Sequence, residues 1–203
     1  MDRAGWDARY RTTDLVWTAN SNQFLVAEVA ELAPGTALDL GAGEGRNAVW
    51  LAQRGWQVTA VDFSAVGLAK AAQLADAASV TLTAICADVG DYVPPPGGFD
   101  LVVVLYLHLP ATVRAAVHRR AAEAVAAGGT LLVVGHDTTN LTSGHGGPQD
   151  PDVVFSPDDV VADLANAGVV IDRADRVHRT VETADGERIA IDALVRAHRP
   201  GRR

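Results

Sequence analysis

Cysteine is almost missing from this chain. Cys86 stands alone, which excludes an internal disulfide and fits a reducing compartment. At the end of a strand-like run it reads as an inert core thiol, not a nucleophile. Basic charge is scarce too: 17 Lys and Arg against 25 Asp and Glu give a formal net charge of -8. Recognition of a nucleic-acid backbone needs a basic face, so no such partner is expected. The exceptions are Arg3, Arg9 and Arg11 at the start and the run from Arg196 to Arg203, expected to be solvated. Long apolar runs are missing: Leu101 to Leu109 is far too short for a bilayer, and no basic start leads into an apolar segment. The expectation is a soluble, unexported, cytoplasmic protein. Metal-ligand spacing is missing as well. Of six histidines, His136 and His145 lie nine apart on a loop with no second ligand at a helical or strand interval, so no metal site is expected.

What is present is ordinary globular material, 48% apolar and 21% charged over 203 residues. That suffices for one well-buried domain, 1–203, with 1–35 leading into a core from 36 onward. The chain is organised around Thr36 to Asn47. Thr36 to Leu40 reads as a doubly buried strand, Gly41, Gly43 and Gly45 as a tight turn, and Arg46 onward as a helix packed back on the sheet. Strands at 36–40, 57–61, 80–85, 99–105 and 130–135 alternate with helices at 46–54, 65–75 and 111–127. Such alternation predicts a parallel sheet with right-handed crossovers and helices on both faces, whose ligands sit beyond the carboxyl ends of the strands. Ahead of this core, Asn22 to Ala33 predicts an amphipathic helix closed by Pro34-Gly35. After it come a polar, glycine-rich loop from His136 to Phe155 and a helix from Pro157 to Ala167 with Ser156 as N-cap. Two last strands, Val169 to Val177 and Arg188 to Arg196, are able to pair antiparallel at the sheet edge.

The ligand class turns on two details. The dinucleotide fingerprint wants its third glycine where this chain has Arg46, so the spacing here is G-x-G-x-G. Asp39, two residues before the first glycine, would repel a pyrophosphate but suits a ligand with an ammonium group at that end. About 20 residues after the turn, Asp62 closes the second strand, placed to accept hydrogen bonds from two ribose hydroxyls. Asp88 follows the third strand and is placed to take an adenine amino group.

Asp39-x-Gly41-x-Gly43-x-Gly45, Asp62, Asp88 and Gly128-Gly129-Thr130 resemble the motifs of class I S-adenosylmethionine (SAM)-dependent methyltransferases. Within that class the run Leu38 to Asn47 is most similar to the small tellurite-resistance (TehB-like) and thiopurine-type branch. The resemblance covers nearly the whole chain. It implies a Rossmann-like, doubly wound α/β fold whose mostly parallel, seven-stranded sheet ends in an antiparallel edge hairpin. It also implies SAM as cofactor, held by Asp39, Gly41, Gly43 and Gly45 at the methionine end, Asp62 at the ribose and Asp88 at the adenine. Ala42, Arg46, Asn47, Phe63, Val89 and Leu105 stand beside these. The reaction expected is metal-independent, in-line methyl transfer to a small-molecule acceptor by a monomer or homodimer, with no nucleic-acid or membrane partner. A second reading is a SAM-binding module that performs no transfer; a third, an NAD-dependent oxidoreductase, is opposed by Asp39 and the glycine spacing.

For the acceptor end, His108 directly follows the fourth strand. His178-Arg179, just before the hairpin around Asp185-Gly186, resembles the His-Arg pair that lines the acceptor site in the tellurite-resistance branch, an imidazole as acid or base and a guanidinium on an oxyanion. His118 and His198 are expected to be solvated. Trp6, Tyr10 and Trp17 stand in the lead-in. Trp6 and Tyr10 are one helical turn apart, as either a surface staple or a lid over the cofactor.

Overall fold

A strand buried on both faces needs apolar side chains at odd and even positions alike, and Leu101 to Leu105 and Leu131 to Val134 supply them. The computed structural model describes residues 1–12, 14–16 and 18–201; Trp17 and the last two residues of the basic tail lie outside them. Seven strands, β1 (Thr36–Leu40), β2 (Gln57–Asp62), β3 (Thr83–Cys86), β4 (Phe99–Leu105), β5 (Val125–His136), β6 (Val170–Thr183) and β7 (Gly186–His198), form one sheet in the order β3-β2-β1-β4-β5-β7-β6. β7 runs against its neighbours β5 and β6, and the other pairings are parallel. The helices are α1 (Arg3–Arg11), α2 (Gln23–Val29), α3 (Arg46–Ala52), α4 (Ala65–Ala77), α5 (Ala111–Ala124), α6 (Asn140–Ser143) and α7 (Pro157–Asp163).

The sheet divides the core in two. On one face Leu38, Leu40, Val102, Val104, Val133 and Val195 pack with Val117 and Ala121 of α5 and Val160 of α7. On the other, Ala37, Ala60, Leu101, Val103, Leu132 and Leu194 pack with Leu25 of α2 and Leu51 of α3. Short polar side chains start the helices. Asn22 accepts the N–H groups of Phe24 and Leu25 at 2.9 and 3.1 Å, and Ser64 that of Gly67 at 3.0 Å. Ser156 and Asp159 close a reciprocal capping box on α7. At the β1–α3 turn the backbone is left-handed at Gly41, Gly43 and Gly45. A Cβ at Gly45 would fall 2.5 Å from that of Ala71, so the start of α3 lies directly on α4.

Several expected boundaries move, each for a local reason. α4 continues to Ala77 because Ser79 takes a left-handed φ of 55° and the Val80 N–H turns back to the Ala75 carbonyl at 3.0 Å. Val80 is thereby taken from β3, which spans Thr83–Cys86 instead of 80–85. As a short edge strand β3 exposes Cys86, so the thiol is not in the core. α5 ends at Ala124, and Val125 already pairs with Phe99. Arg199, in the basic tail, is not solvated throughout: it donates to the carbonyls of Ala122, in the last turn of α5, and Ala167, after α7, at 2.8 and 3.2 Å. His118 is 1% exposed, held with Arg114 on Asp163, and is not solvated. β6 and β7 are also longer than expected. Pairing of β5 with β7 stops at His136–Asp192, while β6 and β7 run on together to Thr183–Gly186 as an arm past the carboxyl end of β5. His178 and Arg179 therefore lie inside β6, not ahead of the hairpin.

Candidate functional site

Alternation of side chains along a strand gathers the polar residues. Asp39 shares the face of Ala37, Asp62 that of Val58 and Ala60, His136 that of Leu132 and Val134, Asp192 that of Leu194, and Arg179 that of Val177. All of these apolar neighbours belong to one core layer. The strands carrying these residues end together beyond the sheet, beside the switch in strand order between β1 and β4. Asp39 is 1% exposed and its Oδ2 has no partner. Burial first, and then the charge of Asp62, push its carboxyl up to about 7. Asp62 is buried too, and burial raises it, yet each oxygen accepts one backbone N–H at 2.8 Å, Oδ2 from Gly43 and Oδ1 from Ser64. Arg46 opens α3. Its guanidinium is largely buried, which lowers its pKa, and it feels Asp39 and Glu44 but has no hydrogen bond or ion pair among the described residues.

The lead-in covers this turn. Tyr10 is 4% exposed. A Cβ on Gly43 would fall 2.7 Å from its hydroxyl, and one on Gly67 3.1 Å from its ring. Ser64 Oγ donates to Asp7 of α1. Glu44, inside the glycine turn, accepts the Val16 N–H on both oxygens at 3.0 Å and the Lys70 ammonium at 3.0 Å.

A second polar group lies beyond β4, β5 and β7. Tyr106 takes a φ of +55°, strained for a residue with a side chain, and this turns its ring off the end of β4. Its hydroxyl donates to Asp192 Oδ2 at 2.7 Å, and Arg179 Nε donates to the same oxygen at 3.0 Å and to the Tyr106 hydroxyl at 3.1 Å. Asp192 is fully buried and its Oδ1 has no partner. His108 and His136 stand beside Tyr106, ring centres 5.0 Å apart, with His136 Nδ1 3.2 Å from His108 Nε2. Burial pushes His108 down to about 3, helped by His136, and His136 down to about 4, helped by Arg179. Both are neutral at pH 7. Among the described residues no group of three or more His, Cys, Asp and Glu side chains is arranged to hold a metal ion.

Residues 37–129 match the family described as "Methyltransferase domain". That stretch, from β1 into β5, is similar to a methyltransferase domain. No curated protein matches the chain in sequence. In fold, the chain resembles a protein of echinomycin biosynthesis solved for the conversion of a disulfide bond into a thioacetal group. That likeness has a TM-score of 0.78 and 22% identity over 98% of this chain and 91% of that one. It also resembles magnesium protoporphyrin IX methyltransferase of Synechocystis with bound S-adenosylhomocysteine, with a TM-score of 0.65 and 20% identity over 97% and 82%. TehB of Haemophilus influenzae follows at 0.70 and 16%, over 95% and 66%.

Within the matched residues the structure brings Asp39, Asp62, Arg46 and the three glycines together. Asn47 is spent on the Asn22 N–H at 2.9 Å, and Val89 is buried in the core. Phe63 is half-buried beside Asp62, and Ala42 and the buried Leu105 frame the turn and the end of β4. Asp88 is exposed and caps its own turn through the Gly90 N–H at 2.8 Å. At the other group the structure places His108 and Arg179 but not His178, which is exposed on the opposite face of β6. Tyr106, His136 and Asp192 were not among the expected site residues. Asp192 carries a readable signal, a lone acid inside the apolar run Ile189 to Val195. Tyr106 and His136 carry none without the strand ends.

Proposed function

We propose that this methyltransferase carries a methyl group from SAM to a small-molecule acceptor by in-line displacement, without a metal. The observation that carries the reading is the meeting of two groups at one glycine turn: Asp39, buried with an oxygen unpartnered, and Arg46, largely buried with no hydrogen bond or ion pair among the described residues. The methionine end of SAM is a zwitterion and needs one of each. Asp39 takes its ammonium and Arg46 its carboxylate. Asp62 keeps a lone pair on each oxygen after accepting Gly43 and Ser64, and these take two ribose hydroxyls. Asp88 and the ring of Phe63 stand where the adenine extends. When bound, SAM supplies a methyl group on a positively charged sulfur, already a good leaving group. The chain's own work is alignment and exclusion of water, and alignment alone can supply roughly 7 to 11 kcal/mol of a barrier.

Tyr10 and Trp6, their rings tilted against each other with centres 5.3 Å apart on α1, form the cover on the cofactor side. On the acceptor side Arg179 and the neutral imidazoles line the space off β4 and β5. A small acceptor is supported by the relative in fold whose name gives magnesium protoporphyrin IX as its substrate. The test is an acceptor screen with methyl-labelled SAM, read by the mass of the product. Label in a small product supports the reading. Binding of SAM and S-adenosylhomocysteine with no transfer to any acceptor would instead make the chain a binding module.

A further inference from the structure

The two imidazoles at the acceptor end do not play the same part, because the backbone fixes their tautomers. A backbone N–H only donates. That of His136 points at His108 Nε2 from 3.2 Å, so Nε2 of His108 carries a lone pair. The proton of His108 is therefore on Nδ1, the nitrogen left to bond the Tyr106 backbone. His136 Nδ1 lies 3.2 Å from the same lone pair. Two lone pairs would repel there, so Nδ1 is the protonated nitrogen of His136. This leaves His136 Nε2 as a bare lone pair, without a hydrogen-bond partner among the described residues. Gly147 of the polar loop lies over that ring edge. A Cβ at Gly147 would fall 2.6 Å from Nε2 and 2.4 Å from Cδ2, and φ there is +76°. Glycine lets the loop cross this close to the ring edge, where any side chain would strike the nitrogen.

Resting on the methyltransferase reading, we propose that His136 Nε2 takes the proton released in the transfer and that His108 is the positioning residue that holds it. The acceptor is accordingly a protic one, an alcohol, phenol or thiol that must lose a proton as it gains the methyl group. A lone pair of the acceptor oxygen or sulfur forms the bond to the methyl carbon. The bond from that carbon to the cofactor sulfur breaks and its electron pair stays on sulfur, which becomes a neutral thioether. The acceptor's proton passes to His136 Nε2, and the imidazolium gives it to water on product release. His108 is unsuited to this role, since one nitrogen is protonated and the lone pair of the other is already engaged. His178 faces away. Burial and the Arg179 guanidinium keep His136 unprotonated, hence ready to accept, across the neutral range.

Long-range nitrogen–proton NMR of the nitrogen-15-labelled chain reads each tautomer directly. His108 and His136 are both expected as Nδ1–H. His108→Phe should release His136 into mixed tautomers, and His108→Gln, whose carbonyl oxygen can accept the same two N–H groups, should restore it. With 4-methylphenol and benzenethiol as probe acceptors, His136→Ala should lower kcat on the phenol by about a hundred to ten thousand fold. The largely ionised thiol should suffer less, and S-adenosylhomocysteine affinity should stay within about threefold. A His136 lone pair found on Nδ1, a His136→Ala protein with wild-type kcat on the phenol, or a wild type that methylates neither probe overturns the proposal. Failure of the wild type to bind S-adenosylhomocysteine would instead sink the methyltransferase reading and leave the tautomer result standing.

Discussion

At Asp39, burial and the charge of Asp62 act on one carboxyl, and the sign of the result is testable. Its folded pKa is raised from 3.8 to about 7, so between these values the folded chain holds a proton that the unfolded chain has released. Stability from this group therefore falls as pH rises through that window and is level above it. Asp39→Asn should be more stable than the wild type at pH 8, by up to about 4 kcal/mol, and no more stable at pH 3. Urea unfolding at both pH values checks this; an equal difference at both would contradict it. SAM affinity should run the other way. An ammonium needs the ionised carboxylate, so binding to the wild type should tighten up to about pH 7, while Asp39→Asn binds weakly with little slope.

Among the elements, α7 and α5 are joined by a buried charge network whose centre is Asp163. Burial alone would raise its carboxyl, but the hydrogen bonds from His118 and Arg114 outweigh this and hold it below the usual range. Asp163→Ala leaves the Arg114 guanidinium buried without its partner and should cost about 3 to 5 kcal/mol. Chemical denaturation measures it, and a loss under 1 kcal/mol would mean that water reaches the site. α1 is the other element with a specific load. Tyr10→Ala opens the contact with Gly43 and Gly67, so S-adenosylhomocysteine should dissociate faster in stopped flow with the association rate little changed; an unchanged dissociation rate would reduce α1 to a surface staple. The turn and the strands feeding it were legible in the sequence, because glycine spacing and doubly apolar runs are local signals. The arm of β6 and β7 was not: its residues are mostly polar, and its length is set by pairing between strands. His118 was misplaced for a related reason, since its partners, Arg114 four residues earlier and Asp163 far along the chain, meet only when α7 docks on α5. Cys86 was misplaced because edge and central strands look alike in sequence.

For the whole molecule, one sheet with a core layer on each face puts the group of Asp39, Arg46 and Asp62 and the group of Tyr106, His136 and Arg179 on the same side, at the same end. In the proposed reading, that placement presents a methyl group from Asp39, Arg46 and Asp62 toward Tyr106, His136 and Arg179. Nothing in it calls for a cation, so transfer should persist in excess EDTA; a full loss restored by magnesium or zinc would show that an ion completes the site. The most direct test of the central claim compares the affinities of S-adenosylhomocysteine and 5′-methylthioadenosine, which share the nucleoside and differ in the amino-acid end. Losing the contacts of Asp39 and Arg46, each worth roughly 1.5 to 3 kcal/mol, should make 5′-methylthioadenosine bind two to four decades more weakly by calorimetry. Affinities within about threefold of one another would contradict the account, because Asp39 and Arg46 at the glycine turn would then not be what holds the cofactor.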